Sequence, residues 1–179
     1  MPNFYQSNGQ RYGNPNRGSG FQGTGGRGPS QKQNPKKDVP PPIDTARVIL
    51  QGEIASDLYS TVADDMAKNV CGHATQTKNK STQIRKFYDE LVMWDDRMIQ
   101  KQKDCTSQQE IDKVFRRILP YVQMLRAKVA YSKGRKLVDV NFEKLMNTML
   151  EQISSPEELH RAKLFFESFL CFMKGRERN

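Results

Sequence analysis

From Ile43 onward the apolar residues recur every three or four positions, and alternation with a period of two is nearly absent. That spacing places apolar side chains on one stripe of a helix and cannot line one face of a strand, so the chain is predicted to be all-α. Ile54, Leu58, Val62 and Met66, supported by Ala55 and Val70, predict a first helix from about Gly52 to Cys71. Gly72 to Lys80 is polar and reads as a loop. Ser81 or Thr82 suits the N-cap of a second helix, whose broad apolar face holds Ile84, Phe87, Tyr88, Leu91, Val92, Trp94 and Met98 and which ends near Lys103.

Ser107 and Glu110 have capping-box spacing ahead of a stripe formed by Ile111, Val114, Phe115, Ile118, Val122, Leu125 and Val129. Pro120 falls inside that stripe. Because proline lacks a backbone donor and clashes one turn back, the helix is predicted to kink or break there, with a second piece from Pro120 to about Lys133 and a stop at Gly134. Phe142, Leu145, Met146, Met149, Leu150 and Ile153 define the next helix. Ser155, Pro156 and Glu158 open the last, packed through Leu159, Ala162, Phe165, Phe166, Phe169, Leu170 and Met173. The expected architecture is a single bundle of five to six antiparallel helices over residues 43–179.

Residues 1–42 have a different character. They hold eight glycines, seven prolines and five asparagines, with almost no aliphatic side chain before Val39, and so cannot bury enough apolar surface to offset the entropy of ordering. A disordered basic tail is expected, ended by the stiff Pro40-Pro41-Pro42 run. Phe4, Tyr5, Tyr12 and Phe21 lie among Arg11, Arg17 and Arg27, a composition that can stack on bases and pair with phosphates. A plain solubilising or linking tail explains it as well.

The charge is unevenly placed. His73 to Lys136 carries fifteen Lys/Arg against seven Asp/Glu, whereas the segments on either side, 43–72 and 137–179, are mildly acidic. A packed helical region that tolerates this much self-repulsion is expected to meet a polyanion, which we read as RNA. Catalytic chemistry has little support. His73 and His160 belong to no metal or nucleophile pattern, the paired carboxylates are sequence neighbours that point about 100° apart on a helix, and no Gly-rich phosphate loop occurs. No cofactor is implied. Cys71, Cys105 and Cys171 are widely spaced and suit reduced thiols of a cytoplasmic protein, and no apolar run is long enough to span a bilayer.

Two groups of cations stand out. Lys78 and Lys80 precede the second helix, and Thr82, Arg85 and Lys86 lie in its opening turns, where unpaired backbone amides favour an anion. A solvated cluster opposed by the helix dipole is the plainer account of the same residues. Arg126, Lys128, Lys133, Arg135 and Lys136 surround the end of the long helix and the Gly134 turn. On a helical wheel Arg126 and Lys133 share one flank of the apolar stripe, while Lys128 and Arg135 share the other.

Four blocks in this order carry a family resemblance: Ser81-Thr82-Gln83-Ile84-Arg85-Lys86-Phe87; Leu119-Pro120-Tyr121 through Leu125-Arg126; Tyr131-Ser132-Lys133-Gly134-Arg135; and Phe165-Phe166-Glu167-Ser168-Phe169 to Phe172-Met173-Lys174. Over roughly residues 43–175 the chain resembles the small subunit of type III-A CRISPR effector complexes. The resemblance implies a helical, non-catalytic subunit that stacks in several copies beside the backbone and large subunits. There it contacts guide RNA and target RNA without reading sequence. By position it points to Arg85, Arg126 and Arg135 as backbone contacts, with Lys86, Lys128, Lys133 and Lys136 supported by charge and proximity. The Gly/Pro/Asn-rich tail is not typical of that family, and residues 100–109 look like a longer connection than usual. Two other readings stay open: a stand-alone helical nucleic-acid-binding regulator whose second helix enters a groove, and a protein-interaction adaptor whose basic face meets an acidic protein.

Overall fold

A computed structural model of the chain describes residues 40–72 and 78–176. The expectations for residues 1–39 and for His73 lie outside the described residues. Five α-helices carry the fold, and no strand occurs among the described residues: α1 (Ala63–Cys71), α2 (Ser81–Gln102), α3 (Gln108–Gly134), α4 (Val140–Glu151) and α5 (Pro156–Arg176). One π-helical turn, Leu58–Val62, runs directly into α1.

The helices close a ring of neighbours. α5 packs on α1 and α2, α2 on α3, α3 on α4, and α4 on α1. Phe142 of α4 is the hub, with its ring centroid 5.5 Å from Phe87 of α2, 6.2 Å from Phe166 and 6.5 Å from Phe169 of α5. All but Phe87 among these are fully buried. Such ring pairs add about 0.5–1.5 kcal/mol each beyond the area they bury.

Two capping sequences form helix starts as predicted. The Glu110 amide donates to Ser107 Oγ at 3.3 Å and the Glu158 amide to Ser155 Oγ at 3.3 Å. Each glutamate then reaches back one residue beyond the cap: Glu110 accepts from the amide and hydroxyl of Thr106, and Glu158 from those of Ser154. α2 ends at Gln102 and α3 begins at Gln108, so the connection is shorter than the 100–109 segment suggested.

Three expectations are corrected. The first helix does not begin near Gly52. Residues 43–52 instead cross α4 and the start of α5 as a non-helical strap, and Gly52 has φ +63. Ile43, Val48 and Leu50 are buried there, while side chains from distant helices take the backbone groups that a helix would have paired internally. The Leu50 amide donates to Gln152 Oε1 at 2.8 Å, Gln152 Nε2 donates to the Val48 carbonyl at 2.7 Å, and Arg161 donates to the Leu50 and Gly52 carbonyls. Pro120 does not divide α3, which is one helix from Gln108 to Gly134. Pro120 is exposed, so the carbonyl one turn back that loses its donor can turn to water instead of being stranded in the core. Ser81 and Thr82 are not the cap of α2. Ser81 is already helical, and Lys80, with extended backbone, takes the cap position without a side-chain hydrogen bond.

Asn79 explains that start. It is completely buried with φ 53, a left-handed conformation that asparagine tolerates better than most residues. Its Nδ2 donates to the Val70 carbonyl at 3.2 Å, its Oδ1 accepts from the Asp139 amide at 2.9 Å, and its own amide donates to the Leu137 carbonyl at 2.9 Å. The end of α1, the start of α2 and the α3–α4 turn are thereby held at one corner.

Candidate nucleic-acid interface

The Asn79 corner brings the Gly134 turn against the first turns of α2. With α2 and α3 antiparallel from this point, the early residues of α2 face the late residues of α3. A groove of about 270 Å³ results, lined by Gln83, Lys86, Glu90, Lys128, Tyr131 and Arg135 among others. Arg135 lies over the Tyr131 ring, 5.7 Å from its centroid, and its Nη1 donates to the Tyr131 hydroxyl at 3.3 Å. The ring fixes the guanidinium without neutralising it. Lys128 Nζ is 2.5 Å from Glu90 Oε2. Lys136 follows the helix end with φ 60 and is exposed.

The helical wheel of α3 correctly separated its cations. Arg126 and Lys133 face α4, where Arg126 Nη2 meets Glu151 Oε1 at 2.8 Å and Lys133 Nζ meets Glu143 Oε2 at 2.5 Å. They are outside the α2–α3 groove and already engaged by carboxylates.

Arg85 and Thr82 face a third direction. They line a cavity of about 430 Å³ between α2 and α5 with Ser81, Tyr88, Glu167 and Lys174. The Arg85 side chain is 71% exposed, with Nε 3.6 Å from Asp89 Oδ1. Burial in this cavity pushes the Tyr88 hydroxyl above its ordinary value, and the Glu167 carboxylate beside it adds to the rise. Lys80 is exposed at the cap, and Lys78 is partly buried just before it. The structure therefore brings Lys86, Lys128 and Arg135 together and places Arg85 and Arg126 on two other faces.

Sequence reading passed over a second basic group farther along the same seam. Arg97 and Lys101 of α2, with Lys113 and Arg117 of α3, surround Trp94 and Tyr121. The signal is present as i, i+4 repetition, Lys113-Arg117-Tyr121 and Arg97-Lys101, but the place of Trp94 on the apolar stripe of α2 conceals its contact with Tyr121. Trp94 does pack partly buried against the core, but it also stacks on Tyr121, with centroids 5.0 Å apart and ring planes 19° apart.

Among the described residues no group of His, Cys, Asp and Glu is placed to hold a metal ion, and no helix is long and apolar enough to cross a membrane. Cys71, Cys105 and Cys171 form no disulfide. The model of one protein family, described as Csm2 Type III-A, matches residues 57–178. No curated protein and no solved structure matches the chain.

Proposed function

Because the chain belongs to the Csm2 type III-A family, and so to the small subunits of type III-A CRISPR complexes, we propose that it is a non-catalytic subunit that holds the phosphate backbone of guide or target RNA. The observation that carries this reading is the convergence of Lys86, Lys128 and Arg135 on one groove. Cations on a helical seam suit phosphate contact and leave sequence choice to base pairing. Arg85 and Thr82, beside the start of α2, offer a second phosphate seat. Arg126 and Lys133 are secondary contacts that reach RNA only by giving up Glu151 and Glu143. Residues on faces away from the seam are then available to the backbone and large subunits and to other copies of this chain. α2 itself is clamped on both sides, with Ile84, Phe87, Leu91 and Met98 buried, which disfavours a free recognition helix inserted into DNA.

Binding should be indifferent to RNA sequence and fall steeply with salt, each neutralised phosphate adding about −0.7 to the slope for single strands. Comparing wild type with Lys86→Ala/Lys128→Ala/Arg135→Ala tests the reading. A flatter salt slope in the triple variant is expected, and an unchanged slope would remove the groove from consideration. Co-purification of a guide-length RNA and further subunits with the tagged chain is the second expected result; elution alone or with one acidic protein would contradict it.

A further inference from the structure

The second basic group has a stacked aromatic pair as its floor, where the first has the single exposed ring of Tyr131, already covered by Arg135. The groove between the later half of α2 and the earlier half of α3 encloses about 710 Å³, within the range of clefts that hold small ligands, about 300–1,000 Å³. Trp94, Tyr121, Val114 and Ile118 give it an apolar lining. The Arg97 guanidinium carbon lies 5.5 Å from the Trp94 ring centroid. Tyr121 is 53% exposed, so more than half of its surface stays open despite the contact with Trp94.

The charge around this floor is only lightly committed: Arg97 rests over Trp94, and Lys113 lies near enough to Glu110 to help hold its carboxyl low. Among the described residues Arg97, Lys101, Lys113 and Arg117 form no ion pair, in contrast to Arg126, Lys128 and Lys133. The two acidic residues at the groove are Asp104 and Glu110, and the Glu110 carboxylate is occupied by the Thr106 amide and hydroxyl. Four cations outside any ion pair, around exposed aromatic surface, match a ligand with both negative charge and a flat ring.

We propose that this groove takes an unpaired RNA nucleotide, with its base against Tyr121 beside Trp94 and the flanking phosphates on Arg97, Lys101, Lys113 and Arg117. Bases inside a duplex are already stacked on each other and expose only their edges, whereas an unpaired base can lie flat on an aromatic ring. The proposal deepens the reading of the chain as an RNA-backbone subunit, and rests on it. The two grooves share one seam: Lys113 and Arg135 are about 33 Å apart along α3 at 1.5 Å per residue, so one strand can pass through both.

Trp94 is the only tryptophan in the chain, so intrinsic fluorescence reports on this groove alone. The full chain is titrated with an eight-nucleotide uridine RNA and with an eight-unit abasic ribose-phosphate strand, following both fluorescence and anisotropy. The expected result is quenching by the uridine RNA, roughly tenfold weaker binding of the abasic strand as one stack is lost, a similar weakening for Tyr121→Ala with uridine RNA, and near wild-type binding for Tyr121→Phe. Equal affinity for the two strands, or no quenching while salt-sensitive binding persists, would overturn the stacking site and leave the phosphate reading intact. Quenching that persists while Lys86→Ala/Lys128→Ala/Arg135→Ala leaves the salt slope unchanged would instead overturn the other groove alone. Equal quenching by a polyglutamate peptide would show an acidic protein segment to be the occupant and would also overturn the proposal.

Discussion

Lys128 Nζ lies 2.5 Å from Glu90 Oε2, so a cation of the proposed RNA groove is joined across the seam to a carboxylate of the neighbouring helix. Both side chains are partly exposed, and such a pair contributes only about 0.2–1 kcal/mol to stability. Its effect on a polyanion is larger, because the glutamate both occupies the ammonium and repels phosphate. Glu90→Gln should therefore raise RNA affinity and steepen its salt dependence while the urea midpoint moves little. A salt titration by anisotropy beside urea denaturation checks both halves; weaker RNA binding by a folded Glu90→Gln protein would argue that RNA does not enter this groove.

The α4 flank gives the complementary expectation. Arg126 and Lys133 already face Glu151 and Glu143, so RNA must compete with a carboxylate for each. Arg126→Ala/Lys133→Ala should lower affinity less than Lys86→Ala/Arg135→Ala, although both remove two charges. The same anisotropy titration at one fixed salt concentration ranks them, and the reverse order would move the RNA path to the α3–α4 side.

A third expectation concerns the corner that assembles the groove. Asn79→Ala removes the donor to the Val70 carbonyl and the acceptor for the Asp139 amide in a buried site, and places alanine at a positive φ. Each stranded polar group costs about 1–3 kcal/mol, so a loss of about 2–4 kcal/mol is expected. Asn79→Asp keeps an acceptor for the Asp139 amide but sets a carboxylate oxygen against the Val70 carbonyl in a fully buried site, so it should lose at least as much as Asn79→Ala. Equal urea midpoints for all three proteins would mean that another contact holds the α1, α2 and α3–α4 ends together.

The parts of this fold legible in the sequence are those specified locally. Ser107 with Glu110 and Ser155 with Glu158 announce helix starts because cap and glutamate are three residues apart, and the helical wheel of α3 sorted Arg126 and Lys133 from Lys128 and Arg135 for the same reason. The helical spacing of the apolar residues from Ile43 does not reveal the 43–52 strap, because its backbone partners, Asn141, Gln152 and Arg161, are about a hundred residues away and nothing nearby marks it as non-helical. The break expected at Pro120 required knowing which side of α3 faces water. The Trp94–Tyr121 groove needed the register of α2 against α3, which the short 103–107 connection and the Asn79 corner set together. Charge counting located the basic region but could not show which cations were already paired.

The start of α3 should carry a pH signature. Glu110 accepts from the Thr106 amide at 2.7 Å and from its hydroxyl at 3.1 Å, and these bonds hold the carboxyl below its ordinary value. A carboxyl lowered by folding favours the folded state in its ionised form. That contribution is complete above the unfolded-chain value of about 4.3 and disappears as pH falls through the lower folded value. Glu110→Gln loses the charge-assisted bonds at every pH. Urea midpoints of wild type and Glu110→Gln should therefore differ by a constant amount above about pH 5 and converge toward pH 3. The effect should be small, because the glutamate is exposed and the cap bond from the Glu110 amide to Ser107 is retained in the variant. A difference that stayed constant down to pH 3 would show that Glu110 acts through its shape and hydrogen bonding and not through its charge, and would detach the stability of this helix start from carboxylate ionisation.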